Sequence, residues 1–397
     1  MEHLSNRIKS LTPSQTIAMN TRSREMQAEG IDVINLSVGE PDFPTPEHIK
    51  AAGKKAIDDN YSFYPPVAGY LDLRQAICRK FKTMNNLEFT PDQIVVSSGA
   101  KHSIVNVLMC IINPGDEVIV PAPYWVSYLE MVKIAEGTNV VINTTVGNDY
   151  KISPEQLQDA ITSKTRALLL CSPNNPTGSL YSEQELKGLV SVLAKYPGIY
   201  VISDEIYELI NFTGKYKSIG EFPEIKDRVI TVNGVSKAYA MTGYRIGYLG
   251  ASQWIAKAVI KLQGQMTSGS TTIAMRAAIE ALNGSQQCTI DMNEAFLRRR
   301  NLMLAHLKNI PDLKYNAPEG AFYVFPDVSA YFGKSYNGKI IANSEDLCIY
   351  LLEIAHIATV PGDAFGAPSN IRISYANSDE NLNKAMERFK KALGSLK

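Results

Sequence analysis

Between about residue 90 and residue 250 the chain repeats one pattern: a short aliphatic run, an amphipathic stretch, then another run. The runs are 94–97, 117–120, 167–171, 200–203 and 229–232. Runs without polar alternation suit strands buried on both faces, and strands separated by helices lie parallel. The expected fold class is therefore α/β, a mostly parallel sheet between helices. One of the amphipathic stretches, 182–195, opens with Ser182-Glu183-Gln184-Glu185, a capping-box pattern that starts a helix.

Past Gly250 the pattern changes. Helical periodicity covers 252–262, 273–283 and 288–310, strands are expected near 322–325 and 371–374, and a last helix over about 379–393. A chain of 397 residues is too long for one small core. The expected division is an N-terminal arm, 1–47, packing partly with the small domain; a large domain, 48–290; and a small α+β domain, 291–397.

Composition serves to exclude. Lys plus Arg and Asp plus Glu both number 40, so no global field draws the chain to nucleic acid or membrane. Cys78, Cys110, Cys171, Cys288 and Cys348 are odd in number and form no CxxC, against a disulfide framework or structural zinc. Residues 1–7 contain no apolar leader and no run reaches 18 apolar residues, so a cytoplasmic protein is expected. GxGxxG, Walker A, HExxH and GxSxG spacings are absent, so no metal is expected.

Polar motifs follow the strand ends, where open α/β sheets bind ligands. Ser172-Pro173-Asn174-Asn175-Pro176-Thr177-Gly178 follows the third run, Asp204-Glu205-Ile206-Tyr207 the fourth, and Ser236-Lys237 with Arg245 the fifth. Taken singly these have ordinary explanations: a turn, a helix N-cap and a solvated lysine. Together they supply what pyridoxal phosphate needs. Its aldehyde takes a lysine amine, its ring nitrogen a carboxylate, and its phosphate N–H groups, hydroxyls and a guanidinium.

These motifs resemble the signature of class I aminotransferases of fold type I, over essentially the whole chain. Within that family the likeness is to the bacterial aspartate aminotransferase branch, some members of which accept prephenate. The resemblance implies a large domain with a mostly parallel seven-stranded sheet and a small α+β domain. It implies that Lys237 holds the cofactor as a Schiff base and moves the substrate proton. Asp204 pairs with the ring nitrogen, Tyr207 and Asn175 with the 3′-oxygen, and Trp125 stacks on the ring. Gly99, Ala100 and Lys101 open a helix whose N–H groups hold the phosphate, with Ser236 and Arg245. Tyr64 matches the tyrosine that reaches the phosphate from a neighbouring subunit, which implies a homodimer with shared sites. Arg372 clamps the substrate α-carboxylate, and the Gly39 backbone lies against the substrate. Residues 265–268 lack the arginine that better-known members use for the distal carboxylate; the resemblance to this branch implies that Lys101, Thr16 and Ser14 take that role. Read without the family, Trp125 could be core, Tyr64 a surface aromatic, Arg372 a strand-edge arginine and Lys101 a helix-surface lysine.

The expected reaction is ping-pong transfer of the amino group of L-aspartate to 2-oxoglutarate, between small amino and oxo acids. The alternatives are prephenate or aromatic substrates, a carbon–sulfur lyase, and a non-catalytic cofactor-binding regulator. Only about 30 residues precede the motif region, too few for a helix-turn-helix module.

Overall fold

The computed structural model describes residues 3–13 and 15–397, with residues 15–17 by backbone alone. Its strands are β1 Ile34–Asn35, β2 Ile94–Ser97, β3 Glu117–Ala122, β4 Thr138–Asn143, β5 Thr165–Cys171, β6 Tyr200–Asp204 and β7 Val229–Gly234. There follow β8 Gly247–Gly250, β9 Tyr323–Val324, β10 Ser335–Tyr336, β11 Lys339–Ile340, β12 Ile357–Ala358, β13 Val360–Pro361 and β14 Ile371–Ser374. Seven of them form one sheet in the order β2-β8-β7-β6-β5-β3-β4. Only β8 runs against its neighbours, so the sheet is mostly parallel, as expected.

The third run shows why these strands read as continuous apolar stretches. Leu168 and Leu170 of β5 pack with Ile119, Val201 and the helix Glu183–Leu193. Ala167, Leu169 and Cys171 point the other way, into a cluster with Ile104 and Val107 of the helix Ala100–Ile111 and with Val259. Side chains alternate across a strand, and both faces here are covered, so Ala167–Cys171 is apolar at every position. Burying each such leucine contributes about 2 kcal/mol. The helix at 183 starts as its sequence dictates. The Ser182 hydroxyl accepts from the Glu185 N–H at 3.3 Å, and the Glu185 carboxylate accepts from the Ser182 N–H at 2.7 Å.

Beyond the sheet come the helices Gln253–Met266, Thr272–Asn283 and Gln287–Leu307, then a three-stranded antiparallel sheet in the order β13-β14-β9. The helix Asp379–Gly394 ends the fold, and the helix Ser344–Ala355, absent from the sequence reading, packs beside it. The chain's start joins its end: β1 pairs in parallel with β12, and Ile34 and Leu36 share a core with Phe296, Ile373 and Leu382. Arg299 clamps this junction, donating to both Asp42 oxygens at 2.8 and 2.9 Å and to Asp379 at 3.2 Å. Among the described residues, no helix is long and apolar enough to cross a membrane.

Candidate active site

Parallel register brings the motifs to one edge. Cys171 stands opposite Asp204, and Asp204 opposite Val232, so the segments after β5, β6 and β7 emerge side by side. Around that edge lies a cavity of about 510 Å³, within the usual size range for small-molecule sites. Gly39, Ala100, Lys101, Trp125, Asn175, Asp204, Tyr207, Ser236, Lys237, Arg245 and Arg372 all line it. Gly99 stands directly behind, against Arg245. Tyr64 is elsewhere on the surface, 95% exposed. Ser14 lies outside the described residues, as does the side chain of Thr16.

The sequence 204–207 divides its side chains between two environments. Asp204, at the end of β6, faces the cavity; its carboxylate accepts from the Tyr128 hydroxyl at 2.6 Å and the Ile206 N–H at 3.3 Å. Burial pushes its carboxyl above the usual range, while those two donors and Lys237 pull it back. Glu205 instead points behind the sheet, accepting from Ser203 at 2.9 Å and Ser218 at 2.6 Å near the buried Lys80–Glu208 pair. Tyr207 returns to the cavity, its hydroxyl 2.9 Å from that of Tyr323. Burial, then Tyr323, holds its phenol far above the ordinary range.

Lys237 follows β7 by three residues. Its amine donates to the Gly39 carbonyl at 2.5 Å and lies 5.8 Å from the centre of the Tyr207 ring. Burial lowers its pKa to about 8, with Glu40 opposing and Arg372 and Arg245 reinforcing the shift. An amine with that pKa is neutral in a substantial fraction of molecules near neutral pH, as a nucleophile requires. Asn175 enters from the turn after β5. The turn is also structural, since the Asn174 side chain accepts from the Thr177 N–H at 3.2 Å.

The helix Ala100–Ile111 begins at the cavity without a side-chain cap, leaving its N-terminal N–H groups available. Its N-cap Gly99 has φ +89°, and a Cβ there would collide with the Arg245 guanidinium, so only glycine lets that cation close on the helix end. Arg245 also donates to the Thr242 carbonyl at 2.9 Å. Lys101, whose pKa burial lowers, sets its ammonium 4.8 Å over the Trp125 ring.

Arg372, on β14, is 2% exposed. It donates to the Asn175 side-chain oxygen at 3.0 Å and the Ser37 carbonyl at 2.6 Å, and stacks over Tyr323. Among the described residues no carboxylate pairs with it, and its Nε has no hydrogen-bond partner. A buried guanidinium without a counterion, facing a cavity, is suited to a carboxylate from outside the protein.

Sequence reasoning missed Tyr128 and Tyr323, which support Asp204 and Tyr207, and Asn20, Arg24, Glu40 and Thr242 on the cavity wall. Glu40 and Thr242 lie within the segments around Gly39 and Arg245 but drew no role from them, whereas Asn20, Arg24, Tyr128 and Tyr323 reach the site through tertiary packing. The donor set fits pyridoxal phosphate: an amine of lowered pKa, a buried carboxylate free of any lysine or arginine ion pair among the described residues, and an uncapped helix end closed by a guanidinium.

Comparison with known proteins agrees. The family model for aminotransferase class I and II matches residues 31–389. The aspartate/prephenate aminotransferase of Nitrosomonas europaea is 46% identical over 97% of this chain and 98% of its own. The bifunctional aspartate aminotransferase and glutamate/aspartate-prephenate aminotransferase of Petunia hybrida is 44% identical over 99% of this chain and 83% of its own. Among solved structures, the aspartate aminotransferase from Rhizobium meliloti superimposes with a TM-score of 0.96 at 42% identity, covering 100% of both chains. The Thermus thermophilus enzyme with maleate gives 0.92 at 40% identity, covering 99% of this chain and 100% of the other. The chain belongs to the class I and II aminotransferase family and is a pyridoxal-phosphate-dependent enzyme of amino-group transfer.

Proposed function

We propose that this enzyme moves the amino group of L-aspartate to 2-oxoglutarate, giving oxaloacetate and L-glutamate, in two half-reactions at one site. The observation that carries the reading is Arg372: a buried, counterion-free guanidinium opening onto the cavity that holds Lys237 and Asp204. Bound there, pyridoxal phosphate supplies an electron sink for the bonds at the amino acid's α-carbon.

In this reading Lys237 holds the cofactor and, once released, carries the proton to and from the α-carbon. Its depressed basicity suits both tasks. Asp204 keeps the ring nitrogen protonated, Tyr207 and Asn175 face the 3′-oxygen, and Trp125 covers the ring. The N–H groups at Ala100 and Lys101, with Ser236 and Arg245, take the phosphate, and Gly99, whose own N–H is held by the Ser97 carbonyl at 2.7 Å, lets it approach the helix end. Arg372 binds the α-carboxylate as a fork, and Gly39 lines the substrate's path, where a Cβ would stand 2.8 Å from the Tyr323 hydroxyl. Lys101 takes the distal carboxylate with Thr16 and Ser14. The relatives named for aspartate, and the Thermus thermophilus structure with the dicarboxylate maleate, support that choice.

We further propose a cytoplasmic homodimer with shared sites, in which Tyr64 of the partner subunit reaches the phosphate. The exposure of Tyr64 and five cysteines that are free thiols support this. The arm 1–47, large domain 48–290 and small domain 291–397 are the proposed units. Prephenate is the second reading, favoured by the relatives' names and by Lys101, a point charge that fixes the distal acid less strictly than a guanidinium.

A half-reaction panel tests the proposal. The holoenzyme is mixed in turn with aspartate, glutamate, alanine, phenylalanine and arogenate while the cofactor's visible band is followed. Aspartate and glutamate should react fastest. Alanine matching aspartate would overturn the dicarboxylate assignment, and arogenate outrunning aspartate would favour the second reading.

A further inference from the structure

Tyr128 opens the helix Tyr128–Ile134 directly beneath the cavity and is 1% exposed. Its ring meets Trp125 edge-on, with centroids 5.5 Å apart and planes at 90°. Its hydroxyl donates to the Asp204 Oδ2 at 2.6 Å. The other oxygen of Asp204 accepts only the longer bond from the Ile206 N–H, at 3.3 Å. Among the described residues no lysine or arginine forms an ion pair with this carboxylate, which is 4% exposed. Two neutral donors therefore hold it, and the hydroxyl makes the shorter bond. Burial and the adjacent Asp204 keep the Tyr128 phenol far above its ordinary range, so it remains a donor. A carboxylate has about four lone-pair positions, and the two bonds leave the cavity-facing ones open.

We propose that Tyr128 is a positioning residue: its hydroxyl fixes the rotation of the Asp204 carboxylate so that an open oxygen meets the cofactor's ring nitrogen. The inference rests on the assignment of Asp204 made above. It makes Tyr128 a support for both the ring's nitrogen partner and Trp125 on its face.

Tyr128→Phe keeps the ring packing and removes only the hydroxyl. The apparent Kd for pyridoxal phosphate, read from quenching of apoenzyme tryptophan fluorescence, should rise about tenfold, the usual scale for a lost bond to a charged group. In an Asp204→Asn background the same substitution should change Kd by less than about twofold, because the group it acts through is gone. The pH midpoint of the holoenzyme's visible band should move upward in Tyr128→Phe, a shift that a purely structural role would not produce. An unchanged Kd and midpoint, or the same loss in both backgrounds, would overturn the proposal. Wild-type cofactor affinity in Asp204→Asn alone would instead sink the assignment of Asp204.

Discussion

At the scale of single residues the site is a set of deliberate imbalances. Lys237 sits where its ammonium is disfavoured, and Arg372 where its charge has no counterpart. With a pKa of about 8, the reactive neutral amine grows as pH rises and saturates above that value. The rate at which apoenzyme captures pyridoxal phosphate should therefore climb about fivefold from pH 7 to 8 and less than about twofold from 8 to 9. An ordinary lysine would keep gaining about tenfold per unit through pH 9. Stopped-flow reconstitution distinguishes the two. Lys237 was legible because it sits in a short motif after a strand end, whereas Arg372 lies inside β14 and drew its role only from the family resemblance. Tyr128, three residues past Trp125, was not legible: its bond to Asp204 joins elements 76 residues apart, and nothing local marks it.

At the scale of elements, five strands of the large sheet were legible because burial on both faces makes them mostly aliphatic, with polar residues such as Ser97, Ser203 and Thr231 few among them. The other two were not. β4 is an edge strand with mostly exposed or half-exposed positions, so its pattern is diluted. β8 is Gly-Tyr-Leu-Gly, with glycine at both ends, and reads as a turn. The phosphate seat belongs to this scale, since it is built from a helix end and a loop. Gly99→Ala would force a Cβ into a left-handed backbone and against Arg245, a strain of about 1–3 kcal/mol. Cofactor affinity should fall by about tenfold or more while circular dichroism is unchanged; unaltered affinity would mean that the helix end does not grip the anion.

At the scale of the molecule, the pairing of β1 with β12 ties the segment around residue 34 to the segment that follows the helix Ser344–Ala355. The junction depends on Arg299, whose side chain is 7% exposed, whereas Arg298 beside it is 61% exposed and pairs with the same Asp379. Arg299→Ala should cost about 2 kcal/mol and lower the thermal midpoint by a few degrees, because it removes the two-pronged bond to Asp42 and the packed guanidinium, while Asp379 keeps Arg298. Arg298→Ala should leave the midpoint nearly unchanged; calorimetry of both variants checks the contrast. If sites are shared between subunits, inactive Lys237→Ala mixed with impaired Tyr64→Phe should regain activity on subunit exchange, because one hybrid site is then fully wild type. Activity no greater than the sum of the separate variants would argue that each site is complete in one chain.

One rung of the large sheet has a metric consequence. Ser97 stands opposite Gly247, and Gly247 opposite Gly234, so the strand leading to the anion seat and the strand leading to Lys237 end level, two strand widths apart. That separation, roughly 10 Å, is set by backbone hydrogen bonding and not by side chains. The sheet therefore fixes the baseline from which the Lys237 segment and the helix end at Ala100 both start, and the loops beyond it only adjust that spacing.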